Sequence, residues 1–225
     1  MLYLIPTPIG NKEDITLRAL RLMKELPILI CEDTRTTKKL FSMYEIPYQD
    51  KQFYSLTSFT DKGKIAHYLN LMKENEIWML SDAGTPWLSD PWKLLIQLCN
   101  QEHLPYTILP GANALIPAVV GAGFDTSSFR YLGFLPQKKG RQTALKEALL
   151  NKIPTFFYES VHRIEKLIAE LDTLWFQGKI SITREISKLF EEHLTCDFEE
   201  IKEKLSAKAL QIKGEFVIGI YPQKE

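Results

Sequence analysis

The sequence predicts an α/β protein made of two α/β domains. Three observations point there. Short continuous apolar runs recur along the chain, segments of helical period lie between them, and loops rich in Gly, Pro and small polar residues follow several of the runs. A continuous apolar run of four to eight residues reads as a strand covered on both faces, as in a parallel sheet. Strands alternating with helices favour that sheet type.

Residues 2–6 form the first such run and end in the turn Thr7-Pro8-Ile9-Gly10-Asn11. Ile15, Leu17, Leu20, Leu22, Met23 and Leu26 then repeat at helical spacing. Residues 28–31 read as a strand, 34–44 as a basic helix with an apolar face, 54–56 as a strand and 62–73 as a helix. The strand 77–80 runs into the loop Ser81-Asp82-Ala83-Gly84-Thr85-Pro86. A helix over 91–101, a strand over 106–109 and the turn 110–112 lead into the apolar segment 114–120. The second half is more mixed. Strands are expected at 129–132, 155–158, 179–183 and 215–221, and helices at 140–150, 162–174 and 198–209. This places a parallel-sheet domain at 1–117 and a mixed-sheet domain at 118–225.

Bulk composition narrows the function. Lys and Arg total 28, as do Asp and Glu, so the net charge is zero and any nucleic acid must be met by a local basic patch. Cys31, Cys99 and Cys196 are odd in number and far apart, which argues against a disulfide framework and suits a reducing cytoplasm. No cysteine or histidine spacing suggests a metal site. No apolar run approaches the ~18 residues of a membrane span. The apolar start lacks a basic n-region and reads as a strand rather than a signal peptide.

Ligands of open α/β sheets bind outside the carboxyl ends of the strands. Three loops occupy such ends: 7–11, 81–86 and Pro110-Gly111-Ala112-Asn113-Ala114. Neither GxGxxG nor GxxxxGK[ST] is present, so a dinucleotide fingerprint and a P-loop are unsupported. Glu32-Asp33-Thr34-Arg35 follows the second strand and could deprotonate and orient a hydroxyl, or simply cap a helix. Arg184-Glu185 and Lys188 sit at another strand end. Ser160 and His162 lack the G-x-S-x-G elbow of a hydrolase. Lys138, Lys139, Arg141, Lys146 and Lys152 face only Glu147 within fifteen residues, the strongest basic cluster of the chain and either a phosphate footprint or a solvated helix face.

Taken in order, LYLIPTPIGNKEDITLRAL, CEDTRTTKKL, SDAGTP with SDP after two residues, LPGANA, GFLPQKKGR, FYESVHRI, TREISKLFEEH and KGEFVIGI resemble the ribosomal RNA small subunit methyltransferase I family of the tetrapyrrole methylase superfamily. The resemblance spans residues 1–221. It implies two α/β domains with S-adenosyl-L-methionine in the cleft between them, a homodimer, and 2′-O-methylation of a decoding-site cytidine ribose in 16S rRNA of the small ribosomal subunit. It implies cofactor contacts from Pro8, Ile9, Gly10, Asp82, Gly84, Thr85, Leu88, Asn113, Ala114, Phe157, Tyr158 and Glu215. Glu32 or Asp33 is the expected base, with Glu185 as an alternative and Arg35 and Arg184 orienting phosphate or base. Lys138, Lys139 and Arg141 are expected to hold rRNA. The alternatives are a non-catalytic RNA-binding relative with an impaired cofactor site, and a tetrapyrrole methyltransferase.

The resemblance departs at tryptophans. Glycine is 11 of 225, below the usual level of about 7%, and the four tryptophans fall near the shortfall. Trp92 stands at a Gly position of the family, Trp87 beside it at a more tolerant one, Trp78 at a small-residue position and Trp175 at or next to a Gly. Either the loop has been repacked in a divergent branch, or UGA codons that mean Gly have been read as Trp.

Overall fold

The computed structural model describes residues 1–57, 62–86 and 93–223. The chain divides into two units, Met1–Asn113 and Ala114–Glu225. The boundary precedes the expected 117/118 because residues 115–121 form a helix of the second unit, with Leu115 and Val119 packed on Phe156.

The first unit carries a five-stranded parallel sheet of β1 (Leu2–Leu4), β2 (Ile28–Cys31), β3 (Gln52–Ser55), β4 (Ile77–Leu80) and β5 (Tyr106–Ile108), in the order β3-β2-β4-β1-β5. Helices cover both faces, which explains why β2 and β4 are apolar and buried throughout. Helices α1 (Leu17–Glu25) and α2 (Thr34–Met43) pack on one face through Leu22, Met23 and Phe41. Helices α3 (Lys62–Glu74) and α4 (Lys93–Gln101) pack on the other through Tyr68, Met72, Leu95 and Cys99. Helix α1 starts at Leu17 because Thr16 caps it, its hydroxyl accepting the Ala19 N–H at 3.1 Å; residues 12–14 form a 3₁₀ turn instead. Neighbouring strands β1 and β4 therefore send their chains to opposite faces. That is the arrangement that opens a ligand crevice at the carboxyl edge of a sheet.

The second unit holds a mixed sheet of β6 (Arg130–Phe134), β7 (Thr155–Ser160), β8 (Gly178–Arg184), β9 (Glu192–Asp197) and β10 (Glu215–Pro222), in the order β6-β7-β10-β8-β9. Only β6 and β7 run parallel. Between strands, α6 (Arg141–Leu150), α7 (Ile164–Thr173) and α8 (Phe198–Ser206) pack over Phe157, Ile180, Ile182 and Ile218, while α5 (Leu115–Gly121) covers the opposite face at Phe156. Strand β9 has no counterpart among the predicted elements. It is an edge strand whose exposed and half-buried residues show no apolar run.

Two tryptophans separate here. Trp78 is fully buried on β4, its indole N–H donates to the Leu26 carbonyl at 3.3 Å, and its ring lies 5.5 Å from that of Phe41. It is a core residue with its polar group satisfied, at a position where the resemblance puts a small residue. Trp175 is the reverse. It is 89% exposed with φ +55°. Its N–H bonds to the Asp172 carbonyl at 2.9 Å, and the Phe176 N–H to the Leu171 carbonyl at 3.0 Å. That pair of bonds is the Schellman ending of α7, and Trp175 occupies the left-handed position usually held by Gly. Trp87 and Trp92 lie outside the described residues.

Candidate functional site

The carboxyl edge of the first sheet gathers the three predicted loops. Thr7 and Gly84 exchange backbone hydrogen bonds, N–H to O, at 2.9 and 3.0 Å. The Thr7 hydroxyl donates to the Ser81 carbonyl at 3.2 Å, and the Ser81 hydroxyl to the Gly84 carbonyl at 3.2 Å. The third loop joins through Thr85, whose hydroxyl donates to the Ala112 carbonyl at 3.1 Å. Gly84 adopts φ +78°, and a Cβ there would stand 3.2 Å from Ile9 Cγ2 and 3.6 Å from the Ala112 oxygen. A Cβ at Gly111 would meet Pro6 at 2.5 Å. The glycines are thus what lets the loops close on one another. Pro8, Ile9, Thr85 and Asn113 are half-buried at this edge, while Gly10 and Asp82 are exposed. Leu88 lies outside the described residues.

Strands β2 and β4 are neighbours in register, Cys31 opposite Leu80, so the residues that follow them meet. The Asp33 N–H donates to Asp82 Oδ1 at 3.3 Å. The Asp33 carboxylate is itself occupied. Its Oδ1 accepts the Arg35 N–H at 2.7 Å as the N-cap of α2, and lies 3.6 Å from Arg35 Nε. Partial burial pushes the Asp82 carboxyl above the ordinary aspartate value; the Asp33 N–H works against this shift and the Asp33 charge adds to it. Glu32 is half-buried beside them. Burial raises the neighbouring Cys31 thiol to about 11, which keeps it protonated and unreactive.

In the second unit several expectations are corrected. Arg141 is buried, not a surface cation. Its Nη1 stands 2.7 Å from Glu159 Oε2 and its Nε 2.7 Å from Glu170 Oε2, while Arg163 Nε reaches Glu159 Oε1 at 2.5 Å. The GR and YESVHR motifs therefore form a buried ion network, and Arg141 offers nothing to RNA. Lys138 and Lys139 are exposed just ahead of α6. Phe157 is fully buried against α6 and α7, so its side chain cannot meet a ligand; strand alternation puts Tyr158 on the other face, with ring centroids 5.6 Å from Tyr131 and 5.2 Å from Phe134. Arg184 is buried, with Nε on Glu192 Oε2 at 2.6 Å and Nη2 on Gln211 Oε1 at 3.2 Å. Glu185 Oε1 accepts both Lys188 Nζ and the Glu215 N–H at 2.9 Å, and the Lys188 ammonium holds the Glu185 carboxyl below the usual range. A carboxylate so held is a poor proton acceptor. Glu215 pairs with Lys188 at 2.8 Å, and Ala114 stands at the start of α5.

Residues 1–202 match the family model "Tetrapyrrole (Corrin/Porphyrin) Methylases". The chain is 38% identical over 218 residues to the ribosomal RNA small subunit methyltransferase I of Halalkalibacterium halodurans, covering 96% of this chain and 74% of that protein. It is 37% identical over 219 residues to the protein of the same name from Hydrogenobaculum, covering 96% and 94%. Among solved structures it is similar to the uroporphyrin-III C-methyl transferase of Thermus thermophilus complexed with S-adenyl homocysteine, at a TM-score of 0.61 and 14% identity, covering 98% of this chain and 96% of that one. From the loops of the first sheet to the buried motifs of the second, the chain belongs to the tetrapyrrole methylase family, among its ribosomal RNA small subunit methyltransferase I proteins.

Proposed function

We propose that the protein transfers a methyl group from S-adenosyl-L-methionine to the ribose 2′-oxygen of a decoding-site cytidine in 16S rRNA, acting on the small ribosomal subunit in the cytoplasm as a homodimer. The observation that carries this reading is the closure of three loops on one another, through Thr7, Gly84 and Thr85, at the carboxyl ends of β1, β4 and β5, with Asp82 exposed beside them. The names of relatives at 37–38% identity support the RNA substrate.

The residues fit the cofactor. Gly84 lets the three loops close so that their backbone groups converge at one edge, where Pro8 and Ile9 stand half-buried with Thr85 and Asn113. Pro8, Ile9, Gly10, Gly84, Thr85 and Asn113 are the proposed holders. When bound, the cofactor supplies an electrophilic methyl group. The chain's part is to position the ribose hydroxyl in line with it, an effect worth ~7–11 kcal/mol in well-oriented systems. Asp82 is proposed as acceptor of the hydroxyl proton alongside Glu32, with Asp33 set aside because its Oδ1 caps α2. A raised carboxyl pKa improves a base near neutral pH, and such a group contributes roughly 10²–10⁴-fold.

The test is incubation with small ribosomal subunits and methyl-labelled S-adenosyl-L-methionine. Label in ribose-methylated cytidine supports the reading. Label absent from RNA and present in a porphyrinoid acceptor would replace it with a tetrapyrrole methyltransferase.

A further inference from the structure

We propose that the exposed face of α2 is a rail for the RNA phosphate backbone, with Arg35, Lys38 and Lys39 as its cations, leading the substrate strand to Asp82. The proposal rests on the RNA-methylation reading above and adds the surface by which RNA reaches the site.

Position comes first. Arg35, Lys38 and Lys39 are spaced i, i+3, i+4 and are all exposed, while Thr37 and Phe41 are buried on the opposite side of the helix. At about 1.5 Å per residue, Lys39 lies about 6 Å along the axis from Arg35. The first turn of the helix is tied to the site, because the N-cap residue Asp33 donates its N–H to Asp82. A strand gripped along α2 is therefore delivered to the carboxylate that would receive the proton.

Charge segregation supports the same assignment. Residues 1–113 carry twelve basic and thirteen acidic side chains. Three of the twelve basic ones sit on α2, which has no acidic residue, so the rest of the unit is nine against thirteen. A positive stripe within an otherwise acidic unit thus lies beside the site loops, where a polyanion would be drawn to it and repelled elsewhere. Arg35 is 90% exposed, and its Nε makes a loose ion pair with Asp33 Oδ1 at 3.6 Å that leaves most of the guanidinium open to solvent. Lys38 is steadied over the Phe53 ring at 5.2 Å, and that ring is braced by Phe41 and Tyr48. Such bracing lowers the ordering cost of a contact without neutralising the cation. The second-unit cluster is weaker than its composition suggested, since Arg141 is buried.

The experiment measures binding of the full-length protein to 16S rRNA across a salt series, for wild type and for the double variant Lys38→Ala/Lys39→Ala. Both side chains are exposed and only the Lys38 contact with the Phe53 ring is lost, so thermal stability should change little and S-adenosyl-L-methionine affinity should stay unchanged. Two lost phosphate contacts should reduce the slope of log affinity against log salt by roughly 1.4–1.8 and weaken binding at least tenfold at low salt. A Lys38→Arg/Lys39→Arg variant should keep the wild-type slope. Equal slope and affinity in the alanine variant, with wild type binding and methylating normally, overturns the rail alone. A wild type that binds no rRNA at any salt overturns the RNA reading itself, and the rail with it.

Discussion

Thr7 and Gly84 exchange both of their backbone hydrogen bonds, at 2.9 and 3.0 Å, across the carboxyl edge of the first sheet. Each residue ends a different strand segment, and the pair fixes the spacing between loops 7–11 and 81–86. Gly84 reaches this geometry at φ +78°, where an L side chain is strained and where a Cβ would press on Ile9.

Gly84→Ala should therefore cost about 1–2 kcal/mol of stability and lower cofactor affinity by more than that loss explains. Urea unfolding and calorimetric titration with S-adenosyl-L-methionine read the two effects separately. Wild-type affinity in a folded variant would dissociate Gly84 from cofactor binding.

The proposed roles of Asp82 and Asp33 can be separated by substitution. Asp82→Asn should reduce kcat by roughly 10²–10⁴-fold, and calorimetric titration reads separately any lost cofactor contact at Asp82. In wild type, kcat should fall as pH falls through the raised Asp82 value, because the protonated carboxyl cannot accept a proton. Asp33→Asn keeps the helix cap, since Asn caps as well as Asp. It removes the charge that helps raise Asp82, so the acid limb of the profile should move to lower pH. A pH–rate profile of the Asp33→Asn variant that matches wild type would argue against this coupling.

Glu159 holds two arginines in the second unit, and its side chain is completely buried. Removing one partner from such a network leaves a buried charge uncompensated. Arg141→Ala should therefore destabilise by about 3–5 kcal/mol. Its effect on RNA affinity in the folded protein should be small, in contrast to Lys138→Ala/Lys139→Ala. Thermal melts and RNA titrations of the two variants separate a structural from a binding role.

Trp175→Gly should stabilise the protein by about 1 kcal/mol, because an L residue pays roughly 1–2 kcal/mol for the left-handed conformation that ends α7. Trp78→Gly should do the opposite and open an indole-sized cavity among Phe41, Leu80 and their neighbours. Reading the codons gives an independent check: UGA at 175 together with UGG at 78 is the expected combination.

The sheet strands and most helices were legible because burial on both faces writes a strand as a continuous apolar run, as in Ile28–Cys31 and Ile77–Leu80. The convergence of loops 7–11, 81–86 and 110–113 was legible for a topological reason: all three follow parallel strands at one edge. Strand β9 was not, since only Leu194 and Cys196 of its six residues are apolar, an alternation too short to stand out from a polar loop. The fate of the charged motifs was hidden as well. An arginine such as Arg141 reads as a surface cation until Glu159 and Glu170, distant in sequence, are seen to enclose it. Likewise Phe157 and Tyr158 are adjacent in sequence, yet the pleat sends one into the core and the other to the opposite face.

Ribose methylation is decided by nucleoside mass spectrometry of 16S rRNA from subunits treated with the purified protein and S-adenosyl-L-methionine. The expected result is one added methyl on a cytidine ribose, seen as a 2′-O-methylcytidine that resists alkaline cleavage, and lost with Asp82→Asn. A methyl placed on a base, or no methylation of RNA by a protein that binds the cofactor, would contradict a 2′-O-methyltransferase.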